Sequence, residues 1–174
     1  FIGAGNHAKL LIPIFKKNNA LLRKISSKQG VSSFHLGKKE GFEIATSNNN
    51  VILSDKNINT IIICTQHDTH ASIVVESIEN NKHVFVEKPL ALNQEDLDKI
   101  ENKIKKSNKI LTVGFNRRFS PHIIKMKSLI KDIKSPKSIV MNINAGKLEK
   151  NHWLNDEIKG GGRLIGEASH FIDL

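Results

Sequence analysis

The sequence predicts an α/β protein: a doubly wound parallel sheet, followed by the start of a second α/β domain with an open, mainly antiparallel sheet. Three observations carry this reading. From residue 1 to about 113, short apolar runs alternate with amphipathic stretches, the pattern of a parallel sheet covered by helices. A glycine-rich turn, Gly3-Ala4-Gly5-Asn6-His7-Ala8, stands between the first apolar residues and the first helical stretch. Beyond residue 137 the period changes to two, with Ile139, Met141, Ile143 and Ala145 alternating with Ser138, Val140, Asn142 and Asn144, as in an antiparallel sheet. The expected domains are 1–116 and 117–174.

Taken in order, Phe1-Ile2-Gly3 reads as the last step of a strand, and the apolar run from Phe171 breaks off as it begins. Both ends are therefore expected to be cut. Residues 7–19 predict a helix with Leu10, Leu11, Ile14 and Phe15 on one face; Pro13 removes a backbone donor and should bend it. Strands follow at 21–26, 43–46 and, most strongly, 60–65, with a helix at 32–41. Helical spacing returns through Ala71, Val74 and Ile78, before the apolar strand 83–86, of a kind buried on both faces. Asn93 followed by Glu95 and Asp96 marks the start of a helix whose inner face is Leu97, Ile100 and Ile104. Gly114 closes a strand at 110–113, and Ser120-Pro121 opens a helix to about 132.

Charge and composition exclude several functions. The chain carries 27 Lys and Arg against 17 Asp and Glu, a net charge of +10, which could suit nucleic acid. Yet Lys99, Lys103, Lys105 and Lys106 fall on a solvent face, tyrosine is absent, and no basic–aromatic interleaving occurs. No nucleic-acid partner is expected. No apolar run approaches the roughly 18 residues of a membrane span, and a cytoplasmic protein is expected. Cys64 is the single cysteine and ends the apolar run Ile61-Ile62-Ile63, so it reads as a structural thiol. The histidines at 7, 35, 67, 70, 83 and 122 lack paired metal-ligand spacing with a carboxylate, and no metal is expected.

The chemistry should gather at three strand ends. Gly3 to Ala8 fits G-x-G-x-x-G/A, in which glycines let backbone N–H groups approach a pyrophosphate at a helix N-terminus, a Rossmann-type dinucleotide site. Thr65-Gln66-His67-Asp68-Thr69-His70 follows one buried strand, and Glu87-Lys88-Pro89-Leu90 ends the next. In an open α/β sheet all three turns face one crevice outside the carboxyl ends of the strands.

These segments also resemble a known family. The run from Val84 to Ala91 is similar to the E-K-P motif of Gfo/Idh/MocA oxidoreductases, and Thr65 to His70 to their T-P-N-x-x-H, with Gln66 where proline is usual. Val113 to Phe119 resembles V-G-[FY]-x-x-R-[FY], and Gly160 to Asp173 resembles G-G-G-x-L-x-D-x-G-x-H-x-x-D. The resemblance implies an NAD(P)-binding Rossmann domain followed by a substrate domain whose sheet often forms an oligomer interface. It implies an enzyme that moves a hydride between NAD or NADP and a sugar, nucleotide-sugar or cyclitol, and a homo-oligomer when full length. The cofactor would be held by Gly3, Gly5, Asn6, His7, Thr65, Gln66, His67, His70, Glu87 and Lys88 of these motifs, and by Ser26 and Ser27 from their position about 20 residues beyond the glycines. By the resemblance Lys88 and His170 would be catalytic, and Lys88, Asn116, Arg118 and His170 would meet substrate, with a cis bond before Pro89; Trp153, outside the motifs, is a further candidate for the core or the wall of the substrate cleft.

Two departures matter. The family's aspartate four residues before the histidine is Gly166 here, with Glu167, three residues before His170, as the candidate to orient it; His170 with Asp173 also has a spacing of three. No Asp or Glu occurs before Glu40, so the acid expected about 20 residues beyond the glycines to bind the adenosine ribose is missing. Ser26, Ser27 and Lys28 stand there instead, after Arg23 and Lys24, which favours tolerance of NADP. The form of the last motif resembles a bi-domain subgroup in which a zinc alcohol-dehydrogenase-like half comes first. A cofactor-binding sensor or scaffold without turnover is the alternative reading.

Overall fold

A parallel sheet built around the Phe1–Gly3 backbone organises the first part of the computed structural model, which describes residues 1–174. Its strands are β1 (Lys24–Ser26), β2 (Ile44–Thr46), β3 (Thr60–Ile63), β4 (His83–Val86) and β5 (Leu111–Val113). β1 pairs with β2, Lys24 opposite Ile44; β3 pairs with β4, Thr60 opposite His83; and β4 with β5, Val84 opposite Leu111. Ile2 joins the two groups. Its N–H donates to the Ile62 carbonyl at 2.8 Å and its carbonyl accepts from Cys64 N–H at 2.8 Å. On the other side Ser26 N–H donates to Phe1 and Gly3 N–H donates to Ser26. The order is thus β2, β1, the Ile2 segment, β3, β4, β5, all parallel, and successive strands are added on opposite sides of Ile2, the place where α/β sheets open a ligand crevice.

Helices cover both faces: α1 (Asn6–Lys17), α2 (Val31–Glu40), α3 (Asn50–Leu53), α4 (His70–Glu79) and α5 (Gln94–Lys105). Successive residues of a strand point to opposite faces, and β3 serves both. Ile61 and Ile63 join Ile73, Val74 and Ile78 of α4 and Ile100 of α5, whereas Ile62 and Cys64 join Ala8 and Ile12 of α1 and Leu36 of α2. That is why its sequence is apolar without alternation. α1 continues through Pro13, which lies on the exposed side, where the Lys9 carbonyl left without a helical donor can meet water. Asn93 caps α5 as expected, accepting from Asp96 N–H at 2.8 Å.

The chain divides into two compact units, Phe1–Gly114 and Phe115–Leu174. The second contains a 3₁₀ turn (Asn116–Phe119), α6 (Pro121–Ile130), a 3₁₀ turn (Trp153–Asn155), a π turn (Leu164–Ala168) and α7 (Ser169–Ile172). Ser120 caps α6, with Pro121 in its first turn. Here one expectation is corrected. Residues 138–145 form no strand ladder, and Ile139, Val140, Met141 and Ile143 are all exposed. Period two fixes which side chains share a face but supplies no partner, and no second strand lies within 115–174. No helix is long and apolar enough to cross a membrane.

Candidate active site

The glycine turn meets the demands of a pyrophosphate site. Gly3 has φ +103°, and a Cβ there would stand 2.3 Å from the Cys64 carbonyl oxygen, so backbone conformation and β3 both exclude a side chain. A Cβ on Gly5 would meet nothing within 4 Å, and no side chain caps the first turn of the 12-residue α1. Uncapped N–H groups at an open helix N-terminus suit a diphosphate. The residues present therefore fit a dinucleotide.

Beside this turn lies a buried carboxylate. Glu87 follows β4, its N–H donating to the Ile63 carbonyl at 3.0 Å, and it is 9% exposed. Its Oε1 is 2.9 Å from His7 Nε2 at the start of α1. Gly114, at the end of β5, brings its backbone against the same carboxylate. Lys88 is half-buried, and the Lys88–Pro89 peptide is cis, as the resemblance implies. Burial first, and Glu87 second, push the Cys64 thiol up to about 12, which keeps it protonated and inert.

His70 has a different role from the one expected. It is 1% exposed, with Nδ1 2.7 Å from the Pro89 carbonyl oxygen and Nε2 3.2 Å from that of Thr65. Both ring nitrogens face backbone, so the side chain has nothing left for a cofactor. Instead it ties the turn after β3 to the turn after β4. Burial holds its pKa below the ordinary 6.5, against the opposing effect of the two carbonyls. In the same turn the Thr65 and Thr69 hydroxyls are 2.7 Å apart, His67 is buried and Gln66 is exposed.

The ribose end needs a similar correction. Ser26 is fully buried and donates to Asn49 Oδ1 at 2.7 Å. Lys24 begins β1, at the edge of the sheet away from the crevice, where it pairs with Asp55 at 2.8 Å; Arg23 pairs with Glu43 at 3.1 Å. Ser27 is half-buried and accepts from Ser33 N–H in the first turn of α2, while Lys28 and Gln29 are exposed. Of the basic and hydroxyl residues read from the sequence, only Ser27 and Lys28 stand at the strand end with accessible surface.

In the second unit the arginines take the carboxylates. Arg118 grips Asp173 through two nitrogens, Nε at 2.8 Å from Oδ2 and Nη2 closer to Oδ1, and this holds Asp173 below its ordinary 3.8. The guanidinium fork thus fixes the 3₁₀ turn to α7. Arg163 holds Glu167, with Nε and Nη2 each 2.8 Å from Oε2. Oε2 of Glu167 is thus engaged by Arg163. The His170 ring packs edge-on against Phe115, centroids 6.2 Å apart, and His170 lies in the first turn of α7 just past the π turn that contains Gly166. Trp153 stacks on His152, and Asn116 is exposed. The sequence reading missed the closeness of Gly114 to Glu87; its one signal was a glycine at a strand end that no turn required.

Fold and turn together define a dinucleotide-binding Rossmann domain. A family model for oxidoreductases with an NAD-binding Rossmann fold matches residues 1–115, and the chain belongs to that family, Gfo/Idh/MocA. It is 32% identical over 128 residues to a myo-inositol 2-dehydrogenase of Thermotoga maritima, covering 74% of this chain and 38% of that protein. It is 41% identical over 70 residues to a scyllo-inositol 2-dehydrogenase (NAD(+)) of Bacillus subtilis, 40% of this chain and 20% of that one. A levoglucosan dehydrogenase solved with NADH and levoglucosan superposes with a TM-score of 0.82 at 25% identity, covering 99% of this chain and 50% of that one. The chain thus spans half or less of the length of these relatives.

Proposed function

We propose that this chain forms the cofactor-binding part of a dehydrogenase that oxidises a secondary alcohol of a cyclitol or sugar, or reduces the corresponding carbonyl. The single observation that carries the reading is the buried Glu87 carboxylate held at the sheet's switch point against His7 of an open, uncapped glycine turn. The turn through Gly3 and Gly5, with Asn6 at the start of α1, binds the diphosphate through backbone N–H groups. Glu87 accepts from the hydroxyls of the nicotinamide ribose. Thr65, Gln66 and His67 line the nicotinamide half of the crevice. Hydride acceptance is the chemistry that the nicotinamide supplies when bound. Lys88 and His170 are the proposed proton-handling groups: oxidation releases a hydroxyl proton that one of them takes up, and reduction returns it. At the adenosine end the absence of an acid and the presence of Ser27 and Lys28 admit both NAD and NADP.

Support comes from the family and from the names of its relatives, which include inositol and levoglucosan dehydrogenases. The test is a panel of cyclitols, sugars and nucleotide-sugars with NAD(H) and NADP(H), assayed on the full-length protein, alongside fluorescence titration of NADH. Binding with turnover on at least one alcohol is expected. A second reading, a cofactor-binding sensor without turnover, draws on Gly166 and on the engagement of Glu167 and Asp173 by arginines. Binding of NADH without turnover across the panel would favour it.

A further inference from the structure

We infer that Gly114 is a positioning residue for the cofactor: the side chain it lacks leaves the space in which the Glu87 carboxylate is held against His7. The inference rests on the proposed contact between Glu87 and the nicotinamide ribose.

Glycine at the end of a strand usually answers to backbone conformation, but Gly114 is absent from the positions with left-handed φ, where Gly3 and Gly30 are found. Its φ therefore lies outside the left-handed region that strains a side chain. Space is what forbids a side chain. A Cβ at 114 would lie 2.8 Å from Glu87 Oε1 and 3.0 Å from both Cδ and Oε2. Neither backbone can retreat. Gly114 N–H donates to the Val86 carbonyl at 2.8 Å, and Glu87 N–H donates to Ile63 at 3.0 Å, so the sheet fixes both. A methyl group at 114 can be relieved only by swinging the carboxylate, and Oε1, the atom nearest the added methyl, is also the one 2.9 Å from His7. Three elements therefore converge on one carboxylate: β4 supplies it, α1 supplies the imidazole, and β5 supplies the gap. A side chain at 114 would misplace the group that the ribose needs, without disturbing the glycine turn or the core.

The experiment is a double-variant cycle on the full-length protein, read by NADH fluorescence titration and thermal melting. Gly114→Ala is expected to raise the NADH Kd about ten- to a hundredfold, the range for losing a hydrogen bond to a charged group. Its melting temperature should stay at or slightly above wild type, because alanine restricts the unfolded chain. In a Glu87→Ala background, where the carboxylate is gone, the same substitution should change Kd less than twofold. If Gly114→Ala alone melts far lower while the double variant melts like Glu87→Ala, the clash is located at the same contact and the inference stands. Gly114→Ala binding within twofold of wild type overturns it. So does an equal loss with and without Glu87. Wild-type affinity in Glu87→Ala would remove the ribose role itself and this inference with it, and no NADH binding by the wild type would overturn the cofactor reading first.

Discussion

Residues 1–114 and 115–174 hold their candidate groups in contrasting ways. In the first unit the residues at the strand ends are set by buried backbone: the His70 ring faces two carbonyls, Glu87 N–H joins the ladder at Ile63, and the Cys64 carbonyl leaves no room for a side chain at Gly3. Behind them stand two apolar clusters, one on each face of the sheet. In the second unit Leu154 is the one buried apolar side chain, and Arg118–Asp173 and Arg163–Glu167 hold the turns at the surface. Partly exposed ion pairs contribute little to stability, about 0–1 kcal/mol each. Preorganisation near the cofactor crevice is thus supplied by the sheet itself, whereas beyond Gly114 local turns and charge pairs give the order.

The largest effect expected from this contrast is catalytic. If the rigid strand ends of the first unit carry the proton chemistry, Lys88→Met in the full-length enzyme should lower kcat by roughly 10²- to 10⁴-fold. NADH affinity should hardly change. Steady-state rates with a titration of NADH check both, and wild-type turnover in this variant would move the proton to His170 and break the comparison.

Stability sharpens it next. Ile63 is fully buried between β4 and the Ile2 segment, while Ile139 is 62% exposed in 138–145. Ile63→Ala should therefore cost about 2–5 kcal/mol, and Ile139→Ala within about 0.5 kcal/mol. Urea unfolding of the two variants measures the difference. A comparable loss at Ile139 would mean that the exposed face is covered in the full-length protein and that the contrast belongs to these residues alone.

The same contrast decides what could be read in the sequence. Glycine spacing, the apolar run at 60–64 and the Asn93 and Ser120 caps are local signals with local causes, and the corresponding turn, strand and helices are where they were expected. The strand over 21–26 is shorter, because Leu21 lies in solvent and only Lys24–Ser26 finds the β2 ladder. What escaped was partnership. Nothing in one dimension says that Ser26 meets Asn49, that His70 meets Pro89, or that Asp173 is taken by Arg118. Position beyond the glycines had marked Ser26 as a cofactor ligand, and motif resemblance His70, since a polar residue near a crevice and a polar residue that builds the crevice wall look alike until burial is known. The period-two segment failed for the complementary reason: it encodes a face, and pairing depends on a neighbour that the pattern does not name.

His70 gives a prediction with a sign. Burial depresses its pKa in the folded state, so the unfolded chain binds more protons as the pH falls below about 6.5. Stability from a neutral His70 is present above that pH and is lost on acidification. His70→Asn should cost about 1–3 kcal/mol at pH 8, through a backbone carbonyl left without the imidazole N–H. It should also flatten the decline in melting temperature between pH 7 and 5. An unchanged slope would assign the acid sensitivity to other groups and detach the turn after β3 from His70.

The smallest effect concerns the adenosine ribose. An acid at the end of β1 would repel a 2′-phosphate, and none precedes Glu40 in this chain. Ser26 is buried on Asn49, and Arg23 and Lys24 are paired at the other end of the strand. That leaves the Ser27 hydroxyl and the exposed Lys28 ammonium to meet a phosphate. An exposed ammonium, screened by salt, contributes less than the 1.5–3 kcal/mol of a buried charged hydrogen bond. NADPH and NADH should therefore bind with Kd values within about tenfold of each other, and the ratio should move towards NADH as salt is raised. Lys28→Ala should shift it the same way by a few-fold, whereas Lys24→Ala should leave it alone. NADH binding more than tenfold tighter at low salt would mean that the missing acid is replaced by another ribose acceptor, for which Asn48 or Asn49 at the end of β2 would be the residues to change.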